Sequence, residues 1–328
     1  SGDIEAALAT LEAFLAFAAA HDPSAGPSGE THLGISELFA GRLEVSRRRL
    51  ERLHERGTSR FDDSRLARFQ YDRKVDVGIV LAYAQWLTGS PDAAAETAAA
   101  TVEHALVSNH GLSLANALAV GACPVFFMSR RYDECARYSA MLVEHVREQG
   151  IVIWSPTARF YRGALACAGD DVPEEGIDEI ERSIEEFRAI NHWVRMSWVL
   201  AVLADALARS GRVEGAVVKI EQALEWGRAR GERWCLPEVL RIQASIQLMK
   251  GRLADAEATL VEAIAVAGDI GGLSWRLRAA TDLARLLRSR SREEEARELL
   301  RPIYSRFTEG FATRDLAAAA EVLAGKAG

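Results

Sequence analysis

The chain has 328 residues, a formal net charge of −7, 49% hydrophobic and 27% charged residues. That balance supplies a sizeable core and argues against wholesale nucleic-acid binding. No apolar run approaches the ~20 residues a bilayer span needs. Cys123, Cys135, Cys167 and Cys235 form neither CxxC nor Cys/His spacing and read as packed thiols of a reducing compartment.

Taken in chain order, Ile4, Ala7, Leu8, Leu11, Phe14 and Leu15 follow the 3.6-residue period and predict one amphipathic helix with no mate before it. With the Ser-Gly opening, this reads as a piece excised from a longer protein. Residues 21–30 hold two prolines, two glycines and two serines and predict a loop. From there a small residue recurs with a second one twelve positions later: Gly34/Ser46, Ala82/Ala94, Cys123/Cys135, Ala164/Gly176, Ala204/Ala216, Ala244/Ala256 and Ala284/Ala296. Successive pairs start 48, 41, 41, 40, 40 and 40 residues apart. Antiparallel helices approach closely only where side chains are small, so each pair marks the crossing point of a helical hairpin. Cys123 and Cys135 therefore face each other, close enough for an optional disulfide.

Breaks at Gly41-Arg42, Gly89-Ser90-Pro91, Gly211-Arg212 and Gly251-Arg252 separate the two helices of a hairpin. Asn109, Gly150, Gly231 and Gly271-Gly272 close second helices. The predicted organisation is 1–30, a partial repeat helix and loop; 31–310, about seven helical hairpins with a basic insertion near 57–74; and 311–328, a capping helix and tail. The fold class is all-α, an α-solenoid wound as a right-handed superhelix.

Residues 42–74 hold ten arginines and one lysine against six acids, with Phe61, Phe69 and Tyr71 interleaved. Either a solvated helix face or a contact surface fits; Arg68, Tyr71, Arg73 and Lys74 are the candidate interdomain contacts. First helices of such hairpins line the concave face. Counting from the crossing residues puts Asp76, Tyr83, Trp86, Trp198, Asp205, Arg209, Glu238, Arg241, Arg278, Arg285 and Arg288 in a groove. Aromatics mixed with both charge signs suit a peptide or protein surface. Trp154, Trp193, Trp226, Trp234 and Trp275 lie near inter-repeat turns and read as packing. No metal-ligand spacing, P-loop, GxSxG motif or converging carboxylate pair occurs, so no catalytic residue, metal or cofactor is expected.

The repeat resembles the tetratricopeptide (TPR) type, lengthened from ~34 residues. The strings RFQYDRKVDVGIVLAYAQWLTGSPDAA (68–94), GACP (121–124), ERWCLPEVLRIQASIQLMKG (232–251), LSWRLRAATDLARLL (273–287) and RELLRPIYSRFTEGFATRDLAAA (297–319) carry a closer likeness. They are similar to the C-terminal TPR-like tail of bacterial STAND-type ATPase signalling proteins, which carry a winged-helix transcription-activator or a nucleotide cyclase domain. The resemblance implies a cytoplasmic, non-catalytic sensor that binds a protein, a peptide or a small effector and regulates its own N-terminal ATPase and output domains. The alternative is a free-standing TPR adaptor for peptide or protein partners.

Overall fold

A computed structural model describes residues 3–55, 72–191 and 194–325 of the chain. Helix α1 (Ile4–His21) packs on α2 (Gly26–Phe39), which pairs with α3 (Leu43–Glu55). The further hairpins are α4 (Arg73–Leu87) with α5 (Pro91–Ser108), α6 (Gly111–Met128) with α7 (Tyr132–Gln149), and α8 (Ser155–Ala166) with α9 (Glu174–Ala189). They continue with α10 (Met196–Arg209) and α11 (Val213–Arg230), α12 (Leu236–Met249) and α13 (Leu253–Ile270), then α14 (Leu273–Ser289) and α15 (Glu293–Tyr304). Helix α16 (Arg314–Leu323) packs across α14 and α15 and closes the stack. Described residues contain no strand, and the stack is the expected α-solenoid.

The twelve-residue pairs sit where the helices cross. Every alanine among them is at most 1% exposed. Ser46 Oγ donates to Gly34 O at 2.7 Å, and Cys135 Sγ donates to Cys123 O at 3.3 Å. All four cysteines are buried free thiols. In the fourth hairpin Gly163 makes the tightest approach: a Cβ there would lie 2.6 Å from Gly176 O. Four hairpin turns place glycine in the left-handed region, whereas the third and seventh use Arg130 (φ 55°) and Ser291 (φ 59°).

Two boundaries differ from the sequence expectation. The 21–30 segment is a 3-10 turn (Pro23–Ala25) followed directly by α2, whose first turn contains Pro27. A proline costs no helical hydrogen bond there, so the clustered prolines start a helix rather than prevent one. Arg73 and Lys74 belong to the first turn of α4, where Asp72 Oδ1 accepts from Lys74 N at 2.8 Å. The rest of the basic insertion, with Arg68 and Tyr71, lies outside the described residues.

Helix α6 contains a π-helical turn, Ala117–Ala122, just before Pro124. Pro124 has no N–H to donate, and Cys123 N–H reaches back five residues to Leu118 O. By length and composition, Ile4–His21 and Gly111–Met128 could each match a membrane span; 67% of the second is buried in the fold.

The superhelix does not stay open. Its early hairpins touch its late ones. Phe39 O accepts from Arg233 N at 2.8 Å, and Arg195 Nη1 donates to Tyr83 OH at 2.9 Å. Ser274 Oγ donates to Trp86 O, and the Trp86 and Trp275 rings meet edge-on with centroids 4.5 Å apart. Arg278 donates to Met128 O. The segment between α15 and α16 then clasps the second hairpin. Glu309 Oε1 accepts from Asp92 N and Ala93 N at 2.9 and 3.0 Å, and Gly310 N donates to Asp92 Oδ2 at 2.9 Å. A carboxylate from the seventh hairpin's end thus caps the first turn of α5, where unpaired N–H groups and the helix dipole favour an anion. The solenoid is a ring with its centre filled, so much of the concave face expected as a groove is core.

Candidate functional site

Inner helices carry apolar residues on nearly every face, as helices surrounded by protein do. Phe127, Tyr161, Phe160, Trp198, Trp234 and Tyr83 form a chain of ring contacts through the middle, with successive centroids 5.1–6.3 Å apart. Tyr83 and Trp86, placed on the groove surface by the sequence register, are 3% and 2% exposed and belong to this plug. The aromatic side chains expected to anchor a partner fill the ring instead, because burying them is worth ~1.5–3 kcal/mol each. Trp234 and Trp275 pack between repeats, and Trp275 Nε1 donates to Trp234 O at 3.0 Å. Trp193 lies outside the described residues.

A cleft of ≈ 90 Å³ lies on the inner side, between the α6–α7 turn, α8, α10, α12 and α14. Phe127, Trp198, Ile242 and Trp275 give it apolar walls; Arg130, Arg209, Arg241 and Arg278 bring four guanidinium groups. Of the predicted groove residues, Trp198, Asp205, Arg209, Glu238, Arg241 and Arg278 converge here. The register works for these because i, i+3, i+4 and i+7 positions of α10, α12 and α14 share a face.

The charges form one network. Arg241 holds Glu238 at 2.8 Å and Asp282 at 2.8 Å. Arg278 holds Asp315 at 2.7 Å and reaches Glu238 at 3.4 Å, while Arg130 reaches Asp315 at 3.4 Å. Arg209 donates to the carbonyl groups of Cys167 and Gly169, with the Asp205 carboxylate 3.6 Å away. Burial pushes the Glu238 carboxyl up, but Arg241 and Arg278 outweigh it and hold the group at about 2. Glu238 is therefore ionised, and its charge is shared between two helices.

The other candidates lie elsewhere. Asp76 receives Asn116 Nδ2 at 2.9 Å and neighbours the Asp72–His104 pair; burial pushes its carboxyl up to about 7, with Asp72 adding to the rise and His32 and Asn116 opposing it. Arg285 is exposed beside Asp282, and Arg288 donates to Val322 O and Gly325 O at the end of α16. The groove register missed Arg130, Tyr132 and Asp315. Arg130 and Tyr132 sit at a hairpin turn, outside the helical period. Asp315 lies in FTEGFATRDL (307–316), a string whose departure from periodicity was its signal.

A second, larger cavity of ≈ 530 Å³ opens between α11, α12 and α13, lined by Leu224, Arg228, Arg233, Leu240, Gln243 and Glu262 among others. Glu232 borders it, and burial raises that carboxyl to about 7 although Trp234 Nε1 donates to it at 2.8 Å. Among the described residues no group of three His, Cys, Asp or Glu side chains is placed to hold a metal ion.

No protein-family model matches the sequence, and no curated protein matches it either. Solved structures do share the fold. A Rap protein complexed with competence and sporulation factor superposes with a TM-score of 0.58 at 11% identity, covering 92% of this chain and 78% of that one. NprR in complex with its cognate peptide NprX gives 0.57 at 14% identity, covering 90% and 82%. A STAND protein with a tetratricopeptide repeat sensor from Pyrococcus horikoshii gives 0.47 at 14%, covering 97% of this chain but 49% of that one.

Proposed function

We propose that this chain is a non-catalytic, cytoplasmic sensor module that binds a peptide or protein segment and relays the binding to linked ATPase and output domains of a bacterial signalling regulator. The observation that carries the reading is the inner cleft, where apolar walls and four guanidinium groups converge at the seam between early and late hairpins. A ligand seated at that seam touches both sides of the ring closure. It can therefore favour one arrangement of the ring over another, which is the requirement for passing on binding free energy. Two proteins of the same fold were solved as complexes, Rap with competence and sporulation factor and NprR with its cognate peptide NprX, and the second supports a peptide ligand.

Selection of a random heptapeptide library on the chain tests the binding reading. Enriched peptides should lose affinity at least tenfold on Arg241→Ala and hold it on Arg285→Ala, which lies outside the cleft. Enrichment indifferent to Arg241→Ala, or no enrichment, would overturn it. Titration of the chain with the upstream part of its own full-length protein, at low and high salt, tests the relay. Salt-sensitive binding lost on Arg68→Ala, Arg73→Ala and Lys74→Ala supports an interdomain contact; no binding at any salt favours the free-standing adaptor.

A further inference from the structure

Asp315 stands apart from the other acids of the cleft network. It is carried by α16, outside the hairpins, and reaches back to two guanidinium groups from distant parts of the chain. Its carboxylate holds Arg278 at 2.7–2.8 Å and Arg130 at 3.4 Å. Arg278 in turn reaches Met128 O, across the ring seam. The same α16-side segment supplies Glu309 and Gly310 to the α5 clasp. The segment that closes the ring therefore sets one carboxylate on two of the cleft's arginines, Arg278 and Arg130, from beside the cleft.

The guanidinium groups of the lining are held by acids of the chain itself. Four arginines line the cleft, and Asp205, Glu238, Asp282 and Asp315 are their acidic partners, so a ligand carboxylate gains a guanidinium only by displacing one of these acids. Arg209 spends its donors on backbone carbonyls. A planar guanidinium pairs with a carboxylate in bidentate fashion and more strongly than with a neutral amide oxygen. The cleft volume of ≈ 90 Å³ admits one side chain rather than a folded surface. Phe127 and Trp198 offer apolar contact beside the charged groups.

Resting on the peptide-binding reading, we propose that the cleft takes the carboxylate side chain of an acidic peptide, and that Asp315 is a built-in competitor for the same arginines. Ligand binding then loosens the α16-side clasp, and by reciprocity whatever loosens Asp315 tightens the ligand. Acid recognition is set by Arg130 and Arg278, the two arginines that Asp315 holds, with Arg209 as a third cation of the lining outside that competition.

Two fluorescein-labelled peptide pools test this on the whole chain: Gly-Xaa-Xaa-Asp-Xaa-Xaa-Gly amide and its central-Asn twin, read by fluorescence polarisation. The Asp pool should bind at least tenfold tighter than the Asn pool. Asp315→Asn should tighten the Asp pool at least fivefold and leave the Asn pool unchanged. Arg209→Gln, outside the clasp and checked by thermal melt, should erase most of the Asp-over-Asn preference. Equal binding of both pools overturns acid recognition while leaving peptide binding intact. No binding by either pool also overturns it, and the library selection then decides the broader reading separately. An Asp pool indifferent to Asp315→Asn overturns the competition. Free glutarate displacing the Asp pool at concentrations as low as unlabelled Asp pool would overturn a peptide in favour of a small carboxylate.

Discussion

Gly89→Ala isolates the ring closure from the ordinary cost of a hairpin turn. Gly89 and Gly211 occupy equivalent turn positions with φ of 96° and 84°. Alanine at either pays the left-handed backbone penalty of roughly 1–2 kcal/mol. Around Gly211 a new Cβ meets nothing within 4 Å. At Gly89 it would lie 2.6 Å from Leu273 Cδ2 and 3.1 Å from Leu273 Cγ, on a helix five hairpins away. Such overpacking adds about 1–3 kcal/mol. Guanidinium denaturation should therefore show Gly211→Ala losing about 1–2 kcal/mol and Gly89→Ala about 2–5 kcal/mol, at an unchanged m-value. On a Leu273→Ala background the two costs should draw together, because the two closest atoms, Cδ2 and Cγ, are gone and only Cβ remains, at 3.2 Å. Equal losses in the native background would mean that α14 does not rest on the second hairpin's turn in solution, and the closed ring would be refuted.

Glu309→Ala should cost ~0.5–2 kcal/mol, the usual worth of a helix cap, and the amides of Asp92 and Ala93 should exchange faster with deuterium; unchanged exchange at both would contradict the clasp. Glu232 and Asp76, both raised to about 7, keep their protons in the folded chain at pH values where the unfolded chain has released them, so stability should fall as pH rises from about 4.5 to about 7. Glu232→Gln should flatten that fall and raise stability at pH 8, since the amide oxygen still accepts from Trp234; superimposable pH profiles would exclude a buried carboxyl there. Glu238, held at about 2, acts the opposite way: its stabilisation is full above about 4.3 and is lost as pH falls through about 2, a limb that Glu238→Gln should abolish in acid-unfolding curves. Ala244→Leu at the sixth crossing should destabilise by ~1–3 kcal/mol, whereas Ala317→Leu on the exposed side of α16 should be silent; two silent changes would put the hairpin register in error.

The hairpins were legible because close helix packing leaves a strict mark: a small residue on each side of every crossing, and a left-handed residue at six of the seven turns. Arg130 and Ser291 fill two of those turns, so glycine alone would have missed them. The closure left no periodic mark. It rests on contacts such as Ser274 to Trp86 and Glu309 to the first turn of α5, between residues whose neighbours in sequence say nothing of each other. Hence Tyr83 and Trp86 read as a binding surface although they are core, whereas helical spacing brings Asp205, Arg209, Glu238, Arg241 and Arg278 to one cleft and leaves Arg285 and Arg288 outside it.

A linear stack of repeats can begin folding anywhere and gain stability one neighbour at a time. This ring cannot finish that way. Its seam joins residues separated by 188 and 217 positions, so the loop-closure entropy of nearly the whole array must be met before the seam contributes anything. During synthesis the early hairpins emerge first and wait, with Trp86 uncovered, until α14 and the α16-side clasp have left the ribosome. Chaperone dependence and sensitivity to truncation should therefore rise abruptly at the seventh hairpin rather than gradually along the chain.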